Sequence, residues 1–203
     1  MKKQVQKSLI VGAVCAMSIQ ALAAGPSVKR GEEIVMGRCF VCHGPEGESS
    51  SPVFPRLAGQ HAEYLSKQLA DFKSGRRKSD SMSSQVSALT TEDMKSLGLF
   101  FAAKPAGVHD TEDALLAGAG KYVFYRGNPS SGVPACSTCH GDQGLGSPGM
   151  PRLAGQHPAY IESQLTQFHA RERTNDNAVM QTVAAKLTPQ EIKAVADFIA
   201  TLH

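Results

Sequence analysis

The stretches Cys39-Phe40-Val41-Cys42-His43 and Cys136-Ser137-Thr138-Cys139-His140 decide how this chain folds and what it holds. Each reads C-x-x-C-H, the pattern for covalent attachment of a c-type haem. The spacing has a physical cause. Two thiols three positions apart on a helical turn reach the two vinyl groups of one porphyrin. The residue that follows brings an imidazole under the ring, where it coordinates iron. Four cysteines can also make two disulfides, a zinc site or dithiol redox pairs. Here there are two copies, each followed at once by His, and Cys15 is the only other cysteine. The pattern favours two haem c groups, attached through Cys39, Cys42, Cys136 and Cys139, with His43 and His140 as axial ligands.

Outward from these motifs the chain repeats itself. Pro55-Arg56-Leu57-Ala58-Gly59-Gln60-His61 recurs unchanged as Pro151-Arg152-Leu153-Ala154-Gly155-Gln156-His157. Tyr64 matches Tyr160, Gln68-Leu69 matches Gln164-Leu165, and Phe72 matches Phe168. Further on, Met82, Leu89-Thr90 and Phe100 match Met180, Leu187-Thr188 and Phe198. A period of about 97 residues is too long for a solenoid and reads as a duplicated domain. The expected halves are residues 24–106 and 107–203. Each is small enough for its apolar core to be marginal, and a buried haem would supply the missing volume.

The local signals are helical. Ser27 can cap a helix running through Arg38. The span His61 to Ser74 carries Leu65, Leu69 and Phe72 on one face and stops at Gly75. Thr90 with Asp93 marks a helix start, and Thr188-Pro189-Gln190-Glu191 is a capping box with Pro at its first helical position. Asp110 is expected to start a helix through Tyr125, and Pro158 to open another. Asn128 to Ala135 reads as an inserted loop, and Lys104 to His109 as the linker between halves. The expected fold is all-α, in two tandem domains related by internal duplication, each around one haem.

The 203 residues are 41% hydrophobic with no Trp, as in an ordinary globule. The formal charge of +3 comes from Lys2, Lys3 and Lys7, which head an N-terminal segment without acids. That segment continues into an apolar run from Leu9 to Ile19 and ends in Ala21-Leu22-Ala23, the pattern of a cleaved secretory signal. The run falls short of the roughly 20 residues a membrane span needs. Residues 1–23 are therefore expected to direct export. The balanced charge that remains does not support nucleic-acid binding.

A second protein ligand closes a haem iron and favours electron transfer over substrate chemistry. Among the methionines only Met82 and Met180 pair by repeat, each seven residues before a Leu-Thr helix start, in polar, loop-like sequence. Met36, Met94 and Met150 lack Met partners and read as core or loop residues. His61 and His157 also repeat, so bis-His ligation stays open, although a helix-start His is commonly solvated. The Pro-Arg-Leu segments suit the surroundings of the ligands. Pro55 and Pro151 can offer carbonyls to the axial imidazoles, Arg56 and Arg152 can pair with haem propionates, and Leu57 and Leu153 can pack on the rings. The basic run Arg76-Arg77-Lys78, close before Met82, is expected to form a surface turn that docks an acidic partner.

C-x-x-C-H-G-x-x-G, then P-R-L-A-G-Q, then a late Met before L-T, present twice, resembles the dihaem cytochrome c4 family over nearly the whole exported chain. The resemblance implies two cytochrome c domains facing each other across a pseudo-two-fold axis. It also implies one His/Met haem in each, His43 with Met82 and His140 with Met180, and periplasmic electron transfer from a cytochrome bc1-type donor toward a terminal oxidase. Peripheral membrane association is compatible with it. The alternative is a dihaem subunit of a larger dehydrogenase, such as a flavocytochrome sulfide dehydrogenase or an alcohol dehydrogenase. A dihaem peroxidase needs an open iron, and a cysteine-ligated thiosulfate-oxidising enzyme needs a further cysteine.

Overall fold

The computed structural model describes residues 25–107, 109 and 113–203. The secretory-signal reading of residues 1–23 lies outside them. Two helical units of one plan follow each other. In the first, Ser27 caps α1 (Val28–Ile34) by accepting from the Arg30 amide at 3.2 Å. The helix runs on through a π-turn (Val35–Cys39) into α2 (Phe40–His43), so both thiols and the imidazole sit at the end of one unbroken helical rod. A long loop leads to α3 (Ala62–Lys73), then α4 (Asp80–Val86) and α5 (Thr91–Ala102).

The second unit has α6 (Ala114–Arg126), α7 (Ser137–His140), α8 (Pro158–His169), α9 (Val179–Ala184) and α10 (Pro189–Ala200). Here the rod is broken. The inserted loop, pinched by an Asn128–Val133 bridge, separates α6 from α7. Among the described residues the only other strand-like pairing is a Ser147–Met150 bridge.

Local chemistry explains the helix ends. Thr90 with Asp93, and Thr188 with Glu191, form reciprocal capping boxes at the starts of α5 and α10. The α6 helix begins later than the sequence suggested, because Asp113 is its cap and accepts from the amides of Leu115 and Leu116. The α4 and α9 helices are a second departure from the expected loops around Met82 and Met180. They are six or seven residues long, too short for periodicity to reveal, and are started by Ser79 and Asp176, whose oxygens accept from Met82 N and Met180 N.

Each unit is closed by crossing its first helix over its last. Gly31 of α1 lies on α5 and Gly120 of α6 lies on α10, so closely that a Cβ at either would fall on the carbonyl oxygen of Ser96 or Ala194. Around the first crossing pack Val35, Leu97, Phe100 and Phe101; around the second pack Phe124, Val195, Phe198 and Ile199. Gly31→Ala and Gly120→Ala should therefore each cost about 1–3 kcal/mol by forcing the helices apart. Chemical denaturation of the haem-loaded protein, with Gly37→Ala as an uncrowded control, checks this.

Candidate functional site

His43 and His140 end α2 and α7 and are buried. His43 Nδ1 lies 3.0 Å from Pro55 O, and His140 Nδ1 lies 3.2 Å from Pro151 O. A carbonyl can only accept, so Nδ1 carries the proton in each ring and Nε2 keeps its lone pair. Burial lowers both imidazoles from the usual histidine value, against the opposing pull of the carbonyl bonds, and keeps them neutral at pH 7. No disulfide joins Cys39, Cys42, Cys136 or Cys139 beside them. Burial raises Cys39 and pushes Cys136 up to about 11, so neither is a ready thiolate for disulfide exchange. Among the described residues no three His, Cys, Asp or Glu side chains converge as a metal cluster.

The loop after each motif is built the same way twice. Gly44 and Gly141, at φ 78° and 79°, turn the chain where a side chain would strain it. The carbonyl of Gly47 then accepts from Leu57 N and Ala58 N, as that of Gly144 does from Leu153 N and Ala154 N. These bonds carry the Pro-Arg-Leu segments back to the imidazoles. Met82 is half-buried against the first core, alongside Cys39, Leu57 and Phe72. Met180 is half-buried in α9. Met94 is core, whereas Met36 and Met150 are exposed.

The repeated polar residues that the motifs leave over meet each other between the domains. Gln60 brackets Arg152, accepting from its amide and donating to its carbonyl at 2.8 and 2.9 Å. Gln156 does the same to Arg56. His61 Nε2 donates to Leu145 O and His157 Nε2 to Ser49 O, both at 2.8 Å. These two histidines, open as iron ligands in the sequence, are thus committed across the interface, and His157 is buried rather than solvated. The basic run also reads differently in three dimensions. Arg77 is buried between the domains, and Arg76 is paired at 2.8 Å with buried Asp71. Of the expected docking turn, Arg76 and Lys78 stay exposed, Arg76 with its charge offset by Asp71, while Arg77 is withdrawn from the surface. Gln60, Gln156, Tyr64, Tyr160, Gln68 and Gln164 were not anticipated as functional. Their one sequence signal is identity between repeats at polar positions without a task in either domain.

Asp71 breaks the symmetry, since its repeat partner is Gln167. Its Oδ2 accepts from Lys67 Nζ at 2.5 Å and from Asn175 Nδ2 of the other domain at 2.6 Å. Burial alone would raise this carboxyl. Hydrogen bonds from Lys67 and Asn175, with the charges of Lys67 and Arg76, outweigh it and hold the group below its ordinary value.

A cavity of about 70 Å³ opens between the domains, lined among others by Glu48, Arg56, Gln60, His109, Arg152 and Gln156. Arg56 Nη1 donates to Gly155 O across the interface at 2.6 Å. The Nε atoms of Arg56 and Arg152 are buried without a partner.

The chain matches the family described as Cytochrome c over residues 28–101 and 119–203. It is 41% identical over 189 residues to cytochrome c4 of Thiocapsa roseopersicina, covering 89% of this chain and 96% of that protein. It is 35% identical over 171 residues to the thiosulfate dehydrogenase electron acceptor of Stutzerimonas stutzeri, covering 81% and 78%. The crystal structure of reduced recombinant cytochrome c4 from Pseudomonas stutzeri superimposes with a TM-score of 0.84 at 38% identity, covering 89% of this chain and all of that one.

The residues present fit haem c. Each half offers two thiols, an imidazole with Nε2 unprotonated, and a buried guanidinium Nε lacking the acceptor that a haem carboxylate would provide.

The Asp71 clasp has a calculable sign. A depressed carboxyl contributes stability above its unfolded value of about 3.9, and that contribution is lost as pH falls through the lower folded value. Stability measured against pH should fall less steeply in Asp71→Asn than in wild type below about pH 4, with the two limbs parallel at neutral pH.

Proposed function

The chain belongs to the cytochrome c family as a dihaem cytochrome c4 with two covalently attached haem c groups, and on that premise we propose that it works as a periplasmic single-electron carrier between a cytochrome bc1-type donor and a terminal oxidase. In this reading residues 1–23 are the export signal, and residues 24–106 and 107–203 are the two haem domains. Cys39 and Cys42 tether the first haem, with His43 and Met82 as its axial ligands. Cys136, Cys139, His140 and Met180 do the same for the second. Bound haem iron supplies a one-electron ferric–ferrous couple.

The chain's own groups do the rest. Pro55 O and Pro151 O hold the imidazole protons on Nδ1, which fixes the tautomer and orients each ring. With the thioethers of Met82 and Met180 as second ligands, the bound groups would offer no coordination position to a substrate, which suits a carrier rather than an enzyme. The α4 and α9 helices present those thioethers from half-buried positions. Arg56 and Arg152 supply donors for haem propionates. The observation that carries this reading is the twin His–Pro bond, made by a buried neutral ring beside a thiol pair in both halves. No helix among the described residues is long and apolar enough to cross a membrane; we infer peripheral membrane association at most.

A second reading is favoured by the likeness to a thiosulfate dehydrogenase electron acceptor. The same two haem domains could serve one dehydrogenase as its dedicated electron-accepting subunit. Size exclusion of native extract separates the two: a free carrier elutes near its own mass, a subunit with its enzyme.

Two measurements test the site. The denatured exported protein should have the mass of the polypeptide plus two haems; a haem-free mass is the opposing result. Met82→Ala and Met180→Ala should each remove about half of the far-red ferric band that reports sulfur ligation, lower one potential and admit imidazole. Unchanged spectra in both, with changes in His61 or His157 variants, would replace this ligand assignment.

A further inference from the structure

The interface buries two guanidiniums that have no anionic partner. Arg77 and Arg173 are 8% and 7% exposed. Each lies over a ring of its own domain, Arg77 at 4.6 Å from the Phe72 centroid and Arg173 at 4.5 Å from that of Phe168. Each also reaches into the other domain. Arg77 Nη2 donates to Tyr160 Oη at 2.9 Å and Gln164 Oε1 at 2.7 Å. Arg173 Nη2 donates to Tyr64 Oη at 3.1 Å and Gln68 Oε1 at 3.2 Å.

The two cations share acceptors. Gln68 Oε1 also takes a bond from Arg77 Nη1, and Gln164 Oε1 one from Arg173 Nη1, both at 2.8 Å. All of these acceptors are neutral. Among the described residues neither guanidinium is in an ion pair, and the buried carboxylate beside them, Asp71, is already engaged by Lys67 and Arg76. Two cations that share acceptors away from water favour any negative charge gained nearby.

The ligand sets adjoin this pair. Phe72, under Arg77, packs into the same core as Cys39 and Met82. Gln181, next to Met180, donates its Nε2 to Arg173 O. An electron arriving at either haem is the kind of negative charge the pair lacks. We propose that Arg77 and Arg173 set the reduction potentials of both haems, their buried charge favouring the reduced state. The proposal rests on the dihaem reading above. Reduction takes one electron from a donor protein; no bond is made at the guanidiniums and no proton moves.

The test is an equilibrium redox titration, read optically, of the haem-loaded full chain at low and high salt. Arg77→Gln and Arg173→Gln should each lower the ratio of reduced to oxidised haem at a fixed applied potential, by roughly three- to tenfold. Arg77→Lys and Arg173→Lys keep the charge while losing the forked hydrogen bonds, and should stay near wild type. Asp71→Asn removes the neighbouring anion and should shift the ratio the opposite way. High salt should leave these differences largely intact, because buried charges are poorly screened. Loosening of the interface would move all the variants in one direction. Gln variants with unchanged midpoints, Lys variants that fall with the Gln ones, or a downward shift in Asp71→Asn would each overturn the proposal. Where a Gln variant fails to fold, the Lys variants and Asp71→Asn still decide. Loss of covalent haem by mass would instead overturn the dihaem reading itself.

Discussion

The bond from each buried imidazole to a proline carbonyl ties together everything else in the molecule. His43 Nδ1 holds Pro55 O, and through it the segment that continues into Arg56. Arg56 in turn is gripped at both its amide and its carbonyl by Gln156 of the other domain. His140, Pro151, Arg152 and Gln60 repeat the chain of contacts in reverse. A single short path of backbone therefore joins the buried imidazole, the proposed iron ligand, to the surface that joins the domains.

Duplication explains why the interface is polar and yet specific. A face that must meet a near-copy of itself is best served by groups that both donate and accept. Gln, Tyr and His do this, and they appear in matched pairs. Neutral partners can be exchanged between halves without leaving a buried charge unpaired. The exceptions are then informative. Arg77 and Arg173 are matched but cationic, and Asp71 has no match at all. Asp71, with Lys67 and Asn175, makes the first domain's side of the contact electrically different from the second's.

The helix ends show which readings survive folding. Thr90 with Asp93 and Thr188 with Glu191 form capping boxes because a cap involves residues three apart and nothing distant. The α4 and α9 helices escape that kind of reading, being little more than one or two turns. The fate of Arg77 shows the opposite limit. In the sequence it belongs to a basic run, which ordinarily means a solvated turn. In the fold its neighbours are Tyr160 and Gln164, more than eighty residues away.

What the sequence by itself determined is whatever depends on close neighbours or on exact recurrence. The attachment motifs, the caps, the glycine turns, the duplicated plan and the likeness to cytochromes c4 are of this kind. Thiol and imidazole must share one helical turn, and a cap must sit beside the amides it satisfies. What only the tertiary structure decided is where the repeated polar residues point. His61 and Met82 recur equally well, yet one donates across to Leu145 O and the other packs into its own core. Recurrence shows that a side chain has a task in both halves. Whether that task faces inward or toward the other domain is set by how the two halves pack, through contacts between residues some 83 to 109 positions apart that no local pattern encodes.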